Sequence, residues 1–119
     1  MMRFTRGNLF DSGAQTLVNT VNCVGVMGKG IAKEFRDRWP EMFKDYFAAC
    51  RRHELRAGRP HLWRSGDRLI LNFPTKDNWK EPSKYEFIEA GLKAIRDRYQ
   101  EWGISSMAFP PLGCGQDST

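Results

Sequence analysis

Residues 17–32 read LVNTVNCVGVMGKGIA, and this stretch decides the fold. An apolar run with β-branched residues passes through two asparagines, Asn19 and Asn22, and enters a loop with three glycines and one lysine. The pattern is typical of a buried strand, a glycine loop and the first turn of a helix. Such a loop turns backbone N–H groups toward an anion, and the helix field stabilises a phosphate there. A purely structural turn that needs glycine at positive φ is the alternative.

The glycine loop matches neither of two common phosphate-binding motifs. A P-loop requires Ser or Thr after GxxxxGK, but Gly30 follows Gly28 and Lys29 here. A dinucleotide-binding fingerprint requires GxGxxG, whereas these glycines have the reverse spacing, GxxGxG. The loop by itself therefore indicates an anion site without specifying the ligand.

Around this stretch, the sequence predicts strands that alternate with helices. Strands are expected at residues 2–6, 16–21 and 104–109, and as a hairpin of 61–63 with 68–73. Helices are expected after the glycine loop, from Pro40, and from a capping box at Ser83 and Glu86 to about residue 103. This order predicts a mixed, largely parallel sheet with ligand sites at the carboxyl ends of its strands. Polar loops after residues 21, 73 and 109 fall at such ends.

Each predicted helix has one apolar face that we expect to be buried in the core. The aromatic residues of the second helix are interpreted as core rather than as a cofactor site. The expected core positions are Ile31, Ala32 and Phe35, then Met42, Phe43, Tyr46, Phe47 and Cys50, then Tyr85, Ile88, Leu92, Ile95 and Tyr99.

Composition predicts one domain, residues 1–119, because 119 residues with 40% apolar content can bury one modest core. The net charge of +5 favours polyanionic ligands but is common among proteins that bind none. Three cysteines without a CxxC pair and two histidines without zinc-finger spacing predict reduced thiols, a cytoplasmic location and no structural metal. No apolar run approaches the roughly 18 to 20 residues of a membrane span. We therefore expect no membrane contact.

Four motifs occur in order along almost the whole chain. They are GNL at 7–9, LVNTVNCVGVMGKGIA at 17–32, NFPTKDNW at 72–79 and PPLGCG at 110–115. On these motifs, the chain resembles the macrodomain family, in its branch of DNA ADP-ribosyl glycohydrolase antitoxins known as DarG. The resemblance implies a three-layer α/β/α fold with a mixed, largely parallel sheet, no cofactor, and ADP-ribose lying across the strand ends.

The resemblance also implies which residues bind ADP-ribose. Asn8 corresponds to the residue that accepts a hydrogen bond from the adenine amino group, and Asn22 to the asparagine that holds the distal ribose. A strand-end turn is the alternative role for Asn22, and Asn19 is expected to make structural hydrogen bonds. Lys29 is as consistent with a solvated side chain as with a phosphate contact. The expected contacts are Asn8, Leu9, Val21, Cys23, Gly25, Val26, Met27, Gly28, Lys29, Gly30, Thr75, Leu112, Gly113, Cys114 and Gly115.

Lys76 corresponds to the lysine that this branch uses in catalysis, together with Asn22. An amine whose pKa is lowered by partial burial or by a neighbouring cation would attack the anomeric carbon and form a covalent intermediate. The alternative is a cation that stabilises charge without bonding. Just beyond it, Trp79 is placed to stack on a base and Lys80 to meet the DNA backbone, although a buried Trp79 is an equal alternative.

The match weakens after Gly115, where further glycines, a helix and a strand are usual in the family and this chain reads QDST. We therefore expect a macrodomain that is C-terminally truncated relative to the family. Three functions follow. The first is removal of ADP-ribose from thymidine in single-stranded DNA, opposing a cognate ADP-ribosyltransferase toxin. The second is hydrolysis of ADP-ribosylated protein or of ADP-ribose derivatives, and the third is ADP-ribose binding without catalysis, in a reader module or a truncated remnant.

Overall fold

The computed structural model of the chain describes residues 4–5 and 9–112. The strands within these residues are β1 Phe4–Thr5, β2 Thr16–Val21, β3 His61–Ser65, β4 Arg68–Pro74 and β5 Met107–Ala108. The helices are α1 Gly30–Arg38, α2 Pro40–Arg51 and α3 Tyr85–Arg98, with a short 3₁₀ helix at Leu9–Asp11. Strands and helices therefore alternate as the sequence predicts.

The five strands form one sheet in the order β1-β5-β2-β4-β3. All neighbouring pairs are parallel except β3 with β4, which form the predicted antiparallel hairpin. In the register of β2 and β4, Val21 lies opposite Pro74, so these two strands end side by side. The mixed, largely parallel sheet is confirmed, and the loops that follow residues 21 and 74 leave it at the same edge.

The helices cover the two faces of this sheet. Alternating residues of β2 and β4 point to opposite sides, because side chains alternate along a strand. One core combines Leu17, Val21 and Ile70 with buried residues of α1 and α2, and the other combines Val18, Leu69, Leu71 and Phe73 with Ile88 and Ile95 of α3. Burying each such aliphatic side chain stabilises the fold by about 1.5–3 kcal/mol. The three-layer architecture is confirmed.

The predicted start of α3 is wrong. The residue before the helix is Lys84, and no side chain caps the first turn. Ser83 lies one residue before the cap position and makes no capping bond, and its hydroxyl donates to Thr75 Oγ1 at 3.3 Å. The helix also ends at Arg98, earlier than expected. A contact with the preceding loop therefore replaces the local cap.

The sheet-facing side of α3 is narrower than the apolar pattern predicts. Tyr85 is 65% exposed and Leu92 is also exposed, whereas Ile88 and Ile95 are buried. Between these two, Gly91 admits the Phe73 ring so closely that a Cβ at Gly91 would lie 2.3 Å from Phe73 Cζ. The helix thus packs on the sheet through Ile88, Gly91 and Ile95.

Two other predicted core positions lie at the surface. Phe35, Met42, Tyr46 and Cys50 are buried as expected, and α2 begins at Pro40 as expected. Ile31 and Phe47, however, are both exposed. Both lie close to the edge at which β2 and β4 end, since Ile31 follows the glycine loop and Phe47 contacts Gly25.

Candidate active site

Two loops meet at the carboxyl edge of β2 and β4. We call residues 22–29 the glycine loop and residues 75–84 the lysine loop. The Thr75 N–H donates to the Val21 carbonyl at 2.9 Å, and the Cys23 N–H donates to the Asp77 carbonyl at 2.9 Å. These bonds extend the pairing of β2 and β4 beyond the strands. The structure therefore joins the two segments in which the sequence predicts Asn22 and Lys76 to act.

The buried side chain of Asn22 organises the glycine loop. Its Oδ1 accepts the N–H groups of Val24, Gly25 and Val26 at 3.1, 3.1 and 3.2 Å, and its Nδ2 donates to the Val26 carbonyl at 2.9 Å. Asn side chains often fold the following backbone into a turn in this way. Asn22 therefore forms the turn that the sequence offers as its alternative role. One Nδ2 hydrogen is used by the Val26 carbonyl, and a hydrogen bond from the other to a ribose stays a prediction.

Tyr46 of α2 holds Asn22 from beneath. The Tyr46 hydroxyl donates to the Asn22 backbone carbonyl at 2.8 Å and lies 3.0 Å from Asn22 Oδ1. Tyr46 is fully buried, and burial raises the pKa of its hydroxyl well above the usual range, so the proton is retained. The sequence places Tyr46 in the core but does not reveal this bond. The one sequence signal for this hydrogen bond is the hydroxyl itself, because a phenylalanine would fill the same space in the core.

Glycine is required at the centre of the glycine loop for two reasons. Gly25 has φ of 91°, and a Cβ there would lie 2.8 Å from Phe47 Cδ1. Gly30, the first residue of α1, also has positive φ, at 64°. The structural-turn interpretation is therefore correct for both positions, and an anion site in the same region stays a prediction.

The backbone N–H groups that remain without an acceptor follow the Asn22 turn in the sequence. Those of residues 24–26 are used by Asn22, while those of residues 27–30 have no acceptor within the described residues. They lead into α1, whose first turn has no acidic residue. Unpaired N–H groups and the positive end of a helix together attract an anion.

A series of polar contacts, buried at Asn19 and Asn72 and exposed at Asp45, runs from the glycine loop across the sheet. Asn19 Nδ2 donates to Asn72 Oδ1 at 3.0 Å and lies 3.7 Å from Met27 Sδ. Asn72 Nδ2 lies 2.9 Å from His61 Nδ1, and His61 Nε2 lies 2.7 Å from Asp45 Oδ2. The structural role expected for Asn19 is confirmed. The remaining contacts of this series, Asn72 with His61 and His61 with Asp45, join residues 11 and 16 positions apart and have no sequence signal.

Lys76 lies half-buried on the lysine loop, close to a carboxylate. Glu81 Oε1 accepts the N–H groups of Asp77 and Asn78, each at 3.1 Å, and so ties the loop together. The Asn78 hydrogen bond is the main cause that lowers the pKa of Glu81, and the positive charges of Lys84 and Lys76 lower it further. Glu81 therefore organises the lysine loop, a role for which the sequence gives no signal.

The other predicted positions divide by exposure. Leu9, Val21, Met27 and Thr75 are buried, so their side chains belong to the core or to loop contacts. Cys23, Val26 and Leu112 are half-buried, while Gly28, Lys29 and Gly30 are exposed. Asn8, Gly113, Cys114 and Gly115 lie outside the described residues.

Cys23 has the position of a site residue but not the chemistry of a nucleophile. Burial, and secondarily the charge of Asp77, raises the pKa of the Cys23 thiol to about 12. The thiol is free and stays protonated at neutral pH. Among the residues that the structure describes, no three His, Cys, Asp or Glu side chains cluster as metal ligands would. The half-buried amine of Lys76 is therefore the strongest candidate for chemistry on these loops.

Surface features flank the two loops. Trp79 is 48% exposed and Lys80 Nζ lies 5.5 Å from its ring centroid, so the alternative of a buried Trp79 is wrong. On the β1 and β5 side, a shallow depression of about 270 Å³ opens at the same edge. It is lined by Leu9, Phe10, Ile31, Glu34 and residues 109–111. No helix in the described part of the chain is long and apolar enough to cross a membrane.

The family model described as "Macro domain" matches residues 18–118. A "DNA ADP-ribosyl glycohydrolase" of Thermus aquaticus is 46% identical over 119 residues, and one of Mycobacterium tuberculosis has the same identity over the same length. Each alignment covers 97% of this chain but 33% and 34% of the respective relative. The chain thus spans about a third of the length of the curated relatives that it matches.

Solved structures give the same relationship. The "Macrodomain of Thermus aquaticus DarG" matches with a TM-score of 0.89 and 44% identity, covering all of this chain and 82% of that one. The "Macrodomain of Mycobacterium tuberculosis DarG" matches with 0.88 and 46%, covering 97% and 78%. A structure of Thermosipho africanus DarTG in complex with ADP-ribose matches with 0.85 and 39%, covering 96% and 34%.

Proposed function

This chain belongs to the macrodomain family, and we propose that it is a glycohydrolase that removes ADP-ribose from thymidine in single-stranded DNA. The observation that carries the proposal is the hydrogen-bonded pair of loops that presents Asn22 and Lys76 at one edge of the sheet. The names of the Thermus and Mycobacterium relatives support the reaction class.

We infer that ADP-ribose lies across the carboxyl edge from β4 toward β1. The distal ribose sits between Asn22 and Lys76, and the diphosphate takes the free N–H groups of residues 27–30. The adenosine then extends toward Leu9 and the shallow depression beside it. The adenine contact of Asn8 is part of this proposal.

The reaction breaks the bond between the anomeric carbon of the distal ribose and a thymine nitrogen. The bonding electron pair leaves with the nitrogen, which takes up a proton, and water supplies the hydroxyl group to the ribose. Lys76 acts either by attacking the anomeric carbon, with water then displacing the amine, or by stabilising charge without a covalent bond. Borohydride distinguishes these roles, because it traps an open-chain ribose imine on Lys76 in the first case alone.

The proposed biological role is opposition to a DNA-modifying ADP-ribosyltransferase in the cytoplasm. A Thermosipho africanus relative is named as a fusion of a DNA ADP-ribosyl transferase and a DNA ADP-ribosyl glycohydrolase. A pair of opposed activities in one relative supports a transferase as the natural counterpart of this chain.

The test is release of ADP-ribose from a single-stranded oligonucleotide that carries one ADP-ribosylated thymidine. The wild-type chain should release ADP-ribose and return the unmodified oligonucleotide, both read by mass spectrometry. Lys76→Ala should lower the single-turnover rate by about 100-fold or more, whereas Lys93→Ala, an exposed lysine on α3, should leave it unchanged. No release by the wild-type chain would contradict the DNA reaction. Release from ADP-ribosylated protein instead would favour the second function.

A further inference from the structure

An arginine-rich segment joins the end of α2 to the start of β3. Residues 51–59 read RRHELRAGR, with four arginines and one glutamate, and we call them the arginine segment. All four arginines are exposed. In the described part of the chain, Arg52 pairs with Glu54 at 2.7 Å, while Arg51, Arg56 and Arg59 have no ion pair. Three unpaired positive charges therefore lie within nine residues.

The arginine segment lies at the same edge of the sheet as the two loops. It leads into β3, whose first residue, His61, is paired with Asn72 near the carboxyl end of β4. Its Gly58 packs on α3, since a Cβ at Gly58 would lie 3.4 Å from Ala90 Cβ. The segment thus leads to the start of β3 beside the carboxyl end of β4, and at Gly58 it contacts α3.

Two pairs of an aromatic residue and a cation flank the glycine loop. On the α2 side, Phe47 is 39% exposed, contacts Gly25, and has the Arg51 guanidinium 5.8 Å from its ring centroid. On the lysine loop, Lys80 lies over the exposed ring of Trp79 in the same manner. Exposed aromatic rings combined with cations are the means by which proteins bind single strands, by stacking on bases and neutralising phosphates.

We propose that Phe47, Arg51, Arg56 and Arg59 form a track for the single-stranded DNA that adjoins the modified thymidine. The inference rests on the proposed function. If ADP-ribose extends from β4 toward β1, the group attached to its distal ribose faces β4 and β3, where the arginine segment ends. A chain of phosphates that leaves the site on this side would run toward the three arginines that have no ion pair within the described residues.

The contribution of the track to DNA affinity can be calculated from the release of counterions by the phosphates that it neutralises. Each phosphate neutralised on a single strand contributes about 0.7 to the slope of log affinity against log salt. Replacing two arginines of the track should therefore lower that slope by about 1.4 and weaken binding about tenfold near physiological salt.

The binding test uses an unmodified single-stranded oligonucleotide and fluorescence anisotropy across a salt series. The variant Arg56→Ser/Arg59→Ser is compared with Arg64→Ser/Arg68→Ser, which removes the same charge from the strand ends beside the β3–β4 turn, at the opposite edge of the sheet. The first variant should lose about tenfold in affinity, and the second should bind like the wild-type chain. Equal loss in both variants, or none in the first, would overturn the track.

A second readout separates this inference from the proposed function. ADP-ribosylated thymidine nucleoside has the scissile bond but no phosphodiester backbone. Arg56→Ser/Arg59→Ser should cleave the nucleoside with wild-type kcat/KM and lose about tenfold in kcat/KM on the oligonucleotide, mainly through KM. An equal loss on both substrates would refute a DNA track. If the wild-type chain cleaves neither substrate, the proposed reaction fails, while the anisotropy comparison still decides the track.

Discussion

Replacing Tyr46 by phenylalanine removes one oxygen atom from beneath the glycine loop. The hydroxyl donates to the Asn22 carbonyl at 2.8 Å and lies 3.0 Å from Asn22 Oδ1. Oδ1 keeps three N–H donors without it, whereas the buried carbonyl loses its tyrosine partner. The ring itself stays in place in the core. The change therefore tests the hydroxyl and not the packing.

The expected cost is about 1–2 kcal/mol in the free energy of unfolding, the range for a lost hydrogen bond that leaves a buried acceptor unpaired. In a domain of this size, that corresponds to a fall in Tm of about 4–10 °C. The hydroxyl anchors Asn22, which shapes the loop, so the Kd for ADP-ribose should also rise. The rise would be about tenfold if the binding free energy falls by about 1.4 kcal/mol.

Thermal unfolding followed by circular dichroism and calorimetric titration with ADP-ribose measure the two effects. Tyr85→Phe is the matched control, since Tyr85 is 65% exposed and its loss of a hydroxyl should change stability by less than about 0.5 kcal/mol. Wild-type stability of Tyr46→Phe would refute the hydrogen bond. Lower stability with unchanged Kd would refute the positioning of the loop.

Three further predictions concern the described residues. Gly25→Ala should lower the free energy of unfolding by about 2–4 kcal/mol in urea titrations, because φ is positive and Phe47 blocks the Cβ. Gly91→Ala should lower it by about 1–3 kcal/mol, since the methyl group overlaps the Phe73 ring. The pKa of the Cys23 thiol is about 12 in the folded chain, against an ordinary value of 9.0, so the thiol ionises at lower pH in the unfolded chain than in the folded one. Stability should therefore fall as pH rises above about 9, by at most about 1.4 kcal/mol per pH unit from this thiol, and Cys23→Ala should flatten the decline.

Much of the fold is predictable because its signals are local. The β-branched run of β2, bounded by the glycine loop, predicts Thr16–Val21 correctly, and Pro40 marks the start of α2. The errors on α3 have tertiary causes. Ser83 bonds to Thr75 instead of capping the helix, and Gly91 seats the helix on Phe73, so the buried stripe is narrower than the apolar pattern.

The site is predictable in part for the same reason. The glycine spacing and the resemblance indicate which two loops matter, and their adjacency follows from the parallel sheet. The side-chain hydrogen bonds that hold those loops in place join residues far apart in the sequence, so no local spacing of residues predicts them. Tyr46 reaches Asn22 across 24 residues, and the chain from Asp45 through His61 reaches Asn72 between separate elements.

We propose that the glycine loop and the lysine loop together form the ADP-ribose site. Titration of the ¹⁵N-labelled chain with ADP-ribose, followed by amide chemical shifts, tests it directly. We expect shifts for residues 22–30 and 75–77, and none at the Gly66 and Asp67 turn at the opposite edge of the sheet. Unchanged amides in the two loops at saturating ADP-ribose, or shifts confined to another surface, would contradict it.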